Sequence, residues 1–106
     1  MPKKGDIVLV VFPFTDLSGS KRRPALVVGT SSEHVVVLFI TSKSSGGRHW
    51  RVPLAQTRET NLKTRSAIRC NKITSVDMRL ITGALGKAPA SVMQSVNARL
   101  KKLLKL

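Results

Sequence analysis

Apolar and polar positions alternate in short runs through most of the chain, and the runs are broken by turn chemistry. Residues 7–12 are apolar and β-branched, and they stop at Pro13 and the polar TDLSGS that follows it. A second run, residues 25–28, begins after Pro24 and closes at Gly29; a third covers residues 35–41. The SSEH between the second and third is a short turn, which predicts an antiparallel hairpin. SKSSGGR (42–48) predicts a flexible basic loop, because Gly and Ser supply backbone freedom and no packing. WRVPL (50–54) reads as a fourth strand at a sheet edge, since Pro53 cannot donate to a ladder. Residues 55–65 form a polar connection, SAIRCNKI (66–73) alternates imperfectly as a half-buried strand, and residues 82–85 make a last short strand.

The period then changes. Val92, Val96, Leu100, Leu103 and Leu104 recur at steps of three and four, with Arg99, Lys101, Lys102 and Lys105 elsewhere on the wheel. Pro89 near the start and cations in the last turn suit the two ends of a helix. The expected fold is mainly β (α+β), a small barrel closed by one C-terminal amphipathic helix, in a single domain over residues 1–106. A basic amphipathic helix also permits docking on a membrane or on a partner protein, but packing onto a small sheet is its commoner use.

Charge adds what periodicity does not carry. Nineteen Lys and Arg against five Asp and Glu give a formal charge of +14. Self-repulsion of that size points to an anionic partner, with nucleic acid first because neutralising phosphates releases counterions. An anionic membrane surface and an acidic protein are the other partners such charge suits. One cysteine, Cys70, allows no intrachain disulfide and fits a reducing compartment. With no signal-peptide pattern and no apolar run near the ~20 residues of a membrane span, the expectation is a cytoplasmic protein that does not enter the membrane.

Few residues carry chemistry. His34 and His49 have no Cys or carboxylate at ligand spacing, so neither a metal site nor a cofactor site is expected. GG at 46–47 and GALG at 83–86 lack the setting of a phosphate loop. Four aromatic residues, Phe12, Phe14, Phe39 and Trp50, are too few for a base-stacking platform. Polar residues at strand ends remain. Pro24 forces Arg23 into extended backbone, and a hairpin through SSEH brings Arg23 and Thr41 to the same open end. A guanidinium beside a hydroxyl is a clamp for a phosphate. Arg69 joins them if its side chain faces the same cleft. Taken singly, the three are also ordinary strand residues exposed to solvent.

Four segments, GDIVLVVFPFT (5–15), RRPALVV (22–28), FITS (39–42) and SAIRCNKITSVDMRLITGALG (66–86), together resemble the MazF/PemK toxins of type II toxin–antitoxin systems. The resemblance covers nearly the whole chain in order. It implies a small SH3-like β-barrel with a terminal helix, usually a homodimer. It also implies a growth-inhibiting, metal-independent endoribonuclease that cuts single-stranded RNA, often mRNA, and is blocked by an acidic antitoxin. Carried onto this chain, the arginine before proline is Arg23, the strand-end threonine is Thr41 with Ser42 beside it, and the arginine of the PemK-branch RCD motif is Arg69. Two positions depart from the pattern. Asn71 stands where that branch has a carboxylate, and GSK (19–21) has Lys21 in place of a glutamate. An amide cannot serve as a general base.

The implied chemistry is attack of the RNA 2′-hydroxyl on the adjacent phosphate, leaving a 2′,3′-cyclic phosphate and a 5′-hydroxyl. Arg23 is assigned as phosphate clamp and proton donor, Thr41 as oxyanion donor and Arg69 as a second phosphate contact. The base is open; His49, an imidazole in the basic loop, is one candidate. Lys21, Arg22, Ser42, Lys43, Arg48, Arg51 and Asn71 complete the expected RNA-binding set. Trp50 is core or a stacking surface. A non-catalytic RNA-binding barrel and a gyrase-targeting toxin of the same fold are the alternatives.

Overall fold

The computed structural model describes residues 1–13, 20–43 and 48–106, without the side chains of residues 12, 13, 20 and 21. Phe14 with Thr15 to Gly19 of the TDLSGS segment, and the centre of the SKSSGGR loop, residues 44–47, therefore lie outside the described residues.

Six antiparallel strands build one sheet. They are β1 (Asp6–Pro13), β2 (Ser20–Thr30), β3 (His34–Thr41), β4 (Arg51–Leu54), β5 (Ser66–Asp77) and β6 (Ile81–Lys87), in the order β4-β5-β3-β2-β1-β6. The sheet does not close on itself by hydrogen bonds among the described residues, so β4 and β6 are its edges and the barrel is an open one. Pro53 sits on edge strand β4 as its missing N–H requires. A 3₁₀ turn, Arg48–Trp50, leads into β4, and a second, Met78–Leu80, joins β5 to β6. The hairpin between β2 and β3 forms through residues 31–33, with the Ser31 N–H donating to the His34 carbonyl at 2.9 Å.

Two differences from the sequence reading bear on the site. β2 does not begin after Pro24. It starts at Ser20 and carries Lys21, Arg22 and Arg23 inside the strand, paired with Phe12, Val11 and Val10 of β1. The ladder to β3 is recorded only from Ala25 onward, so the cationic half of β2 is paired on its β1 side. A polar run can extend a strand in that position without burying its charges. β5 is also longer than expected, twelve residues with a bulge: Ile68 pairs with Ile40 and Ile73 with Leu38, so four residues of β5 face Phe39. The inserted residues shift which alternate positions point inward. Ile68 and Cys70 enter one core and Val76 the other, which explains the imperfect alternation.

The helix α1 (Ala90–Leu104) starts after Pro89 and covers one face of the sheet. Val96 is fully buried, and Val92, Met93 and Leu100 pack against a core of Ile7, Leu26, Leu38, Leu54 and Ile68. Each such fully buried aliphatic side chain stabilises the fold by roughly 1.5–3 kcal/mol. Leu104 was expected on this stripe but is 51% exposed, one turn beyond the core. The opposite face holds Val8, Val10, Ala25, Val27, Val35 and Val37, covered by Met78, Leu80 and Ile81. Gly5, at φ +98, donates to the Val27 carbonyl and accepts from the Ala88 N–H, both at 2.9 Å. That left-handed turn is open to glycine at low cost, and it ties the N-terminus to the β6–α1 junction.

Candidate nucleic-acid interface

The pleat decides which of the predicted residues share a face. On β2, Ala25 and Val27 belong to the core away from the helix, so Arg23, two residues back, points to that same side. Arg22 points to the other side, and both arginines are exposed. The cationic triplet is therefore split: its neighbours cannot serve one site together. For Lys21, only the backbone pairing is described.

On β3, Val35 and Val37 share the Arg23 side, and Phe39 and Thr41 continue it. The β2–β3 register ends at Ala25 and Phe39, and Arg23 and Thr41 each lie two residues beyond that pair, at the same end of the hairpin. Across the other edge of β3, Thr41 pairs directly with Ala67 of β5, and Arg69 lies two residues on from Ala67 on the same face. Ile68 and Cys70, which alternate with them, are buried beneath the helix. Arg69 pairs directly with Arg51 of β4. Arg23, Thr41, Arg69 and Arg51 thus lie on one face and span four strands.

Thr41 and Arg69 are half-buried. The Thr41 hydroxyl oxygen accepts the Lys43 N–H at 3.1 Å, and the Lys43 carbonyl accepts Nη1 of Arg51 at 2.8 Å. A hydroxyl that accepts in this way keeps its own proton to donate. Among the described residues the Arg69 side chain makes no hydrogen bond or ion pair. Ser42 and Lys43 are exposed at the end of β3, and Arg48 is exposed in the 3₁₀ turn. Asn71 is exposed in the β5 bulge rather than buried in the sheet.

His49 is held differently. Its ring stands edge-on to Trp50 with centroids 4.6 Å apart, and its carbonyl accepts Nε of Arg99 from α1 at 3.3 Å. Among the described residues these hydrogen-bond and ring contacts, with Trp50 and Arg99, are its only ones, and none is to Arg23, Thr41 or Arg69. Trp50 is half-buried, packed against His49. Burial pushes the Cys70 thiol up from its ordinary value, against the opposing field of Arg99; a protonated thiol inside the core is a poor nucleophile.

Two contributions escape a reading of the sequence. Phe39 lies on the site face, two residues from Thr41 and packed on the core below; its alternation with Leu38 and Ile40 is the signal that finds it. The Arg51–Arg69 pairing is the other. It joins strands on either side of an eleven-residue connection, so no local pattern announces it. Among the described residues no group of three or more His, Cys, Asp or Glu is gathered as for a metal ion. Nor, among them, is any helix long and apolar enough to cross a membrane.

Comparison with known proteins agrees with the fold. A chain of the MazE–MazF crystal structure from Deinococcus radiodurans superposes with a TM-score of 0.79 at 26% identity, covering 99% of this chain and 97% of that one. The Mycobacterium tuberculosis toxin MazF-mt6 superposes at 0.72 with 17% identity, over 93% of this chain and 97% of that one, which shows the fold alone. The same holds for a mycobacterial endoribonuclease solved with its cognate antitoxin, at 0.74 and 18% identity over 100% and 97% of the two chains. No curated protein is similar enough to match. The family model for PemK-like, MazF-like toxins matches residues 3–104, which leaves only the chain ends outside it, and the chain belongs to these toxins of type II toxin–antitoxin systems.

Proposed function

We propose that this toxin is an endoribonuclease that cuts single-stranded RNA without a metal ion. The observation that carries the reading is the shared face of Arg23, Thr41 and Arg69, with a threonine hydroxyl whose oxygen already accepts a bond and whose proton is left to donate. The 2′-oxygen forms a bond to phosphorus while the bond from phosphorus to the 5′-oxygen breaks. The 2′-hydroxyl loses its proton to a base, and the leaving 5′-oxygen gains one. Because the nucleophile belongs to the substrate, the protein's work is alignment and stabilisation of charge on the phosphorane-like transition state. Arg23 clamps the phosphate and supplies the proton to the leaving oxygen, Thr41 donates to a non-bridging oxygen, and Arg69 makes a second phosphate contact. Asn71 is not the base. His49 is the candidate that a pH profile tests: cleavage by His49→Ala unchanged from about pH 5 to 8 removes it.

Lys43, Arg48 and Arg22 add long-range attraction for RNA. The partner that silences the enzyme is an acidic antitoxin, which the +14 charge suits. The functional unit is a homodimer, supported by a groove of about 410 Å³ between α1 and the sheet whose apolar wall, Val28, Val36, Ile73, Leu100 and Leu104, is flanked by Lys4 and Lys101.

The test is incubation of end-labelled RNA with the wild type and with Arg23→Ala. The wild type is expected to leave cyclic-phosphate and 5′-hydroxyl ends, and the variant to cut at least ~10²-fold more slowly, as when one transition-state donor is lost. Equal cutting by both proteins removes Arg23 from the chemistry. RNA bound without such ends supports a non-catalytic binder.

A further inference from the structure

The basic loop between β3 and β4 leaves the sheet at Thr41 and returns through the 3₁₀ turn Arg48–Trp50. That turn buries none of its residues, so core packing does little to hold it. Hydrogen bonds hold its surroundings instead. The Thr41 hydroxyl accepts the Lys43 N–H at 3.1 Å, and the Lys43 carbonyl accepts Nη1 of Arg51 at 2.8 Å, which ties the outgoing stem of the loop to the incoming one. A third bond comes from another layer: Nε of Arg99, on α1, donates to the His49 carbonyl at 3.3 Å. Arg99 is itself well anchored. Val96, one turn before it, is fully buried, and Leu100 beside it packs on the same core. The residue is half-buried, and its charge acts on the buried Cys70 of β5, which places it on the helix side of that strand.

We propose that Arg99 is a positioning residue for cleavage: from the helix side of the sheet it sets the 3₁₀ turn and, through Arg51 and Lys43, the direction of the Thr41 hydroxyl. The inference rests on the endoribonuclease reading and deepens it, because it gives α1 a part in a reaction carried out on the opposite face. Pairing with Ala67 fixes the Thr41 backbone but not where its hydroxyl points. That direction is set by the Lys43 N–H, whose carbonyl partner Arg51 lies two residues after His49. A group that must donate to a developing charge tolerates little displacement, and about 1 Å of misplacement can cost on the order of 10²-fold in rate. Arg99 holds a main-chain carbonyl, so the His49 side chain is no part of the link. The link is also a directed bond with an ionised donor, so a cation elsewhere on α1 cannot replace it.

The experiment is single-turnover cleavage of an end-labelled RNA oligonucleotide carrying a cut site, with the full-length protein in saturating amount. Arg99→Gln is expected to cut roughly 10-fold more slowly, while the protein concentration giving half the maximal rate changes by less than about 2-fold. Arg99→Lys is expected to recover part of the rate, since an ammonium on a similar stem can donate to the same carbonyl. Lys102→Gln removes the same charge from an exposed position of the helix and is expected to cut as the wild type does. The Thr41→Val background separates positioning from structure. With the hydroxyl gone nothing remains to be aligned, so adding Arg99→Gln is expected to slow cleavage by less than about 2-fold. Melting temperatures equal to wild type exclude misfolding; where Arg99→Gln melts lower, Arg99→Met, which keeps the aliphatic stem, takes its place. A wild-type rate in Arg99→Gln, an equal loss in Lys102→Gln, or the full loss repeated in Thr41→Val overturns the positioning role alone. A wild type that cuts no RNA overturns the endoribonuclease reading, and the role with it.

Discussion

At the scale of single residues, Thr41 and Gly86 illustrate two kinds of constraint. Thr41 holds the end of β3 through Lys43 and presents its hydroxyl to the site face. Thr41→Val keeps shape and β-propensity while removing the hydroxyl. It is expected to lower kcat by roughly 10²–10³-fold with little change in KM, since a donor needed only in the transition state is lost. Single-turnover cleavage with saturating enzyme checks this, and Thr41→Ser is expected to recover most of the rate. Gly86 does no chemistry. A Cβ there would fall on the carbonyl oxygens of Glu59 and Thr60, in the turn that also takes the Lys87 N–H. That turn is built on Thr60, fully buried, whose hydroxyl donates to the Ala55 carbonyl at 2.8 Å and whose oxygen accepts the Thr57 N–H at 3.1 Å. Backbone cannot yield as a side chain tip can, so Gly86→Ala is expected to destabilise by about 1–3 kcal/mol in urea unfolding.

At the scale of elements, β5 contributes to both cores and carries Arg69 of the site face, and its downstream end is fastened electrostatically. Asp77 caps the 3₁₀ turn Met78–Leu80: its carboxylate accepts the Arg79 N–H at 2.8 Å and pairs with the Arg79 guanidinium at 3.0 Å. The guanidinium bonds hold the Asp77 carboxyl down at about 2, below its ordinary 3.8. A depressed carboxylate contributes stability above its unfolded value and loses it as pH falls toward the folded one. The melting temperature is therefore expected to drop between about pH 4 and 2 in the wild type, and by less in Asp77→Asn, with thermal melts across that range as the check. The elements differ in how plainly the sequence announces them. β1, β3 and α1 are legible because each follows a single period with one partner environment. The cationic half of β2 is not, since Lys21 to Arg23 look like a loop until β1 is known to pair with them. The β5 bulge is equally hidden, because alternation fails there for a tertiary reason. Arg23 and Thr41 are legible through the hairpin, and Arg69 only conditionally. Arg51 as the neighbour of Arg69 depends on a pairing that no local stretch contains.

At the scale of the whole molecule, charge and exposed apolar surface pull in different directions. A +14 chain repels its own copies, yet Ile73 (38%), Leu104 (51%) and Leu106 (86%) remain exposed beside the groove under the helix C-terminus. Burial against a second copy offsets the repulsion when salt screens it, since the Debye length falls from about 30 Å at 0.01 M to about 8 Å at 0.15 M. A dimer formed through this groove is therefore expected to strengthen with salt, while the proposed RNA binding weakens by about 0.7 in the log–log salt slope for each phosphate neutralised. The two opposite dependences separate the surfaces. Light scattering after gel filtration is expected to find a dimer at 0.15 M salt for the wild type and a monomer for Leu104→Lys. Arg51→Gln is expected to stay dimeric while its RNA salt slope falls by about one phosphate. A wild type that is monomeric at every salt concentration removes the groove as an interface between copies. A Leu104→Lys variant that is monomeric and still cuts RNA at full rate shows that the Arg23–Thr41–Arg69 face works within one chain.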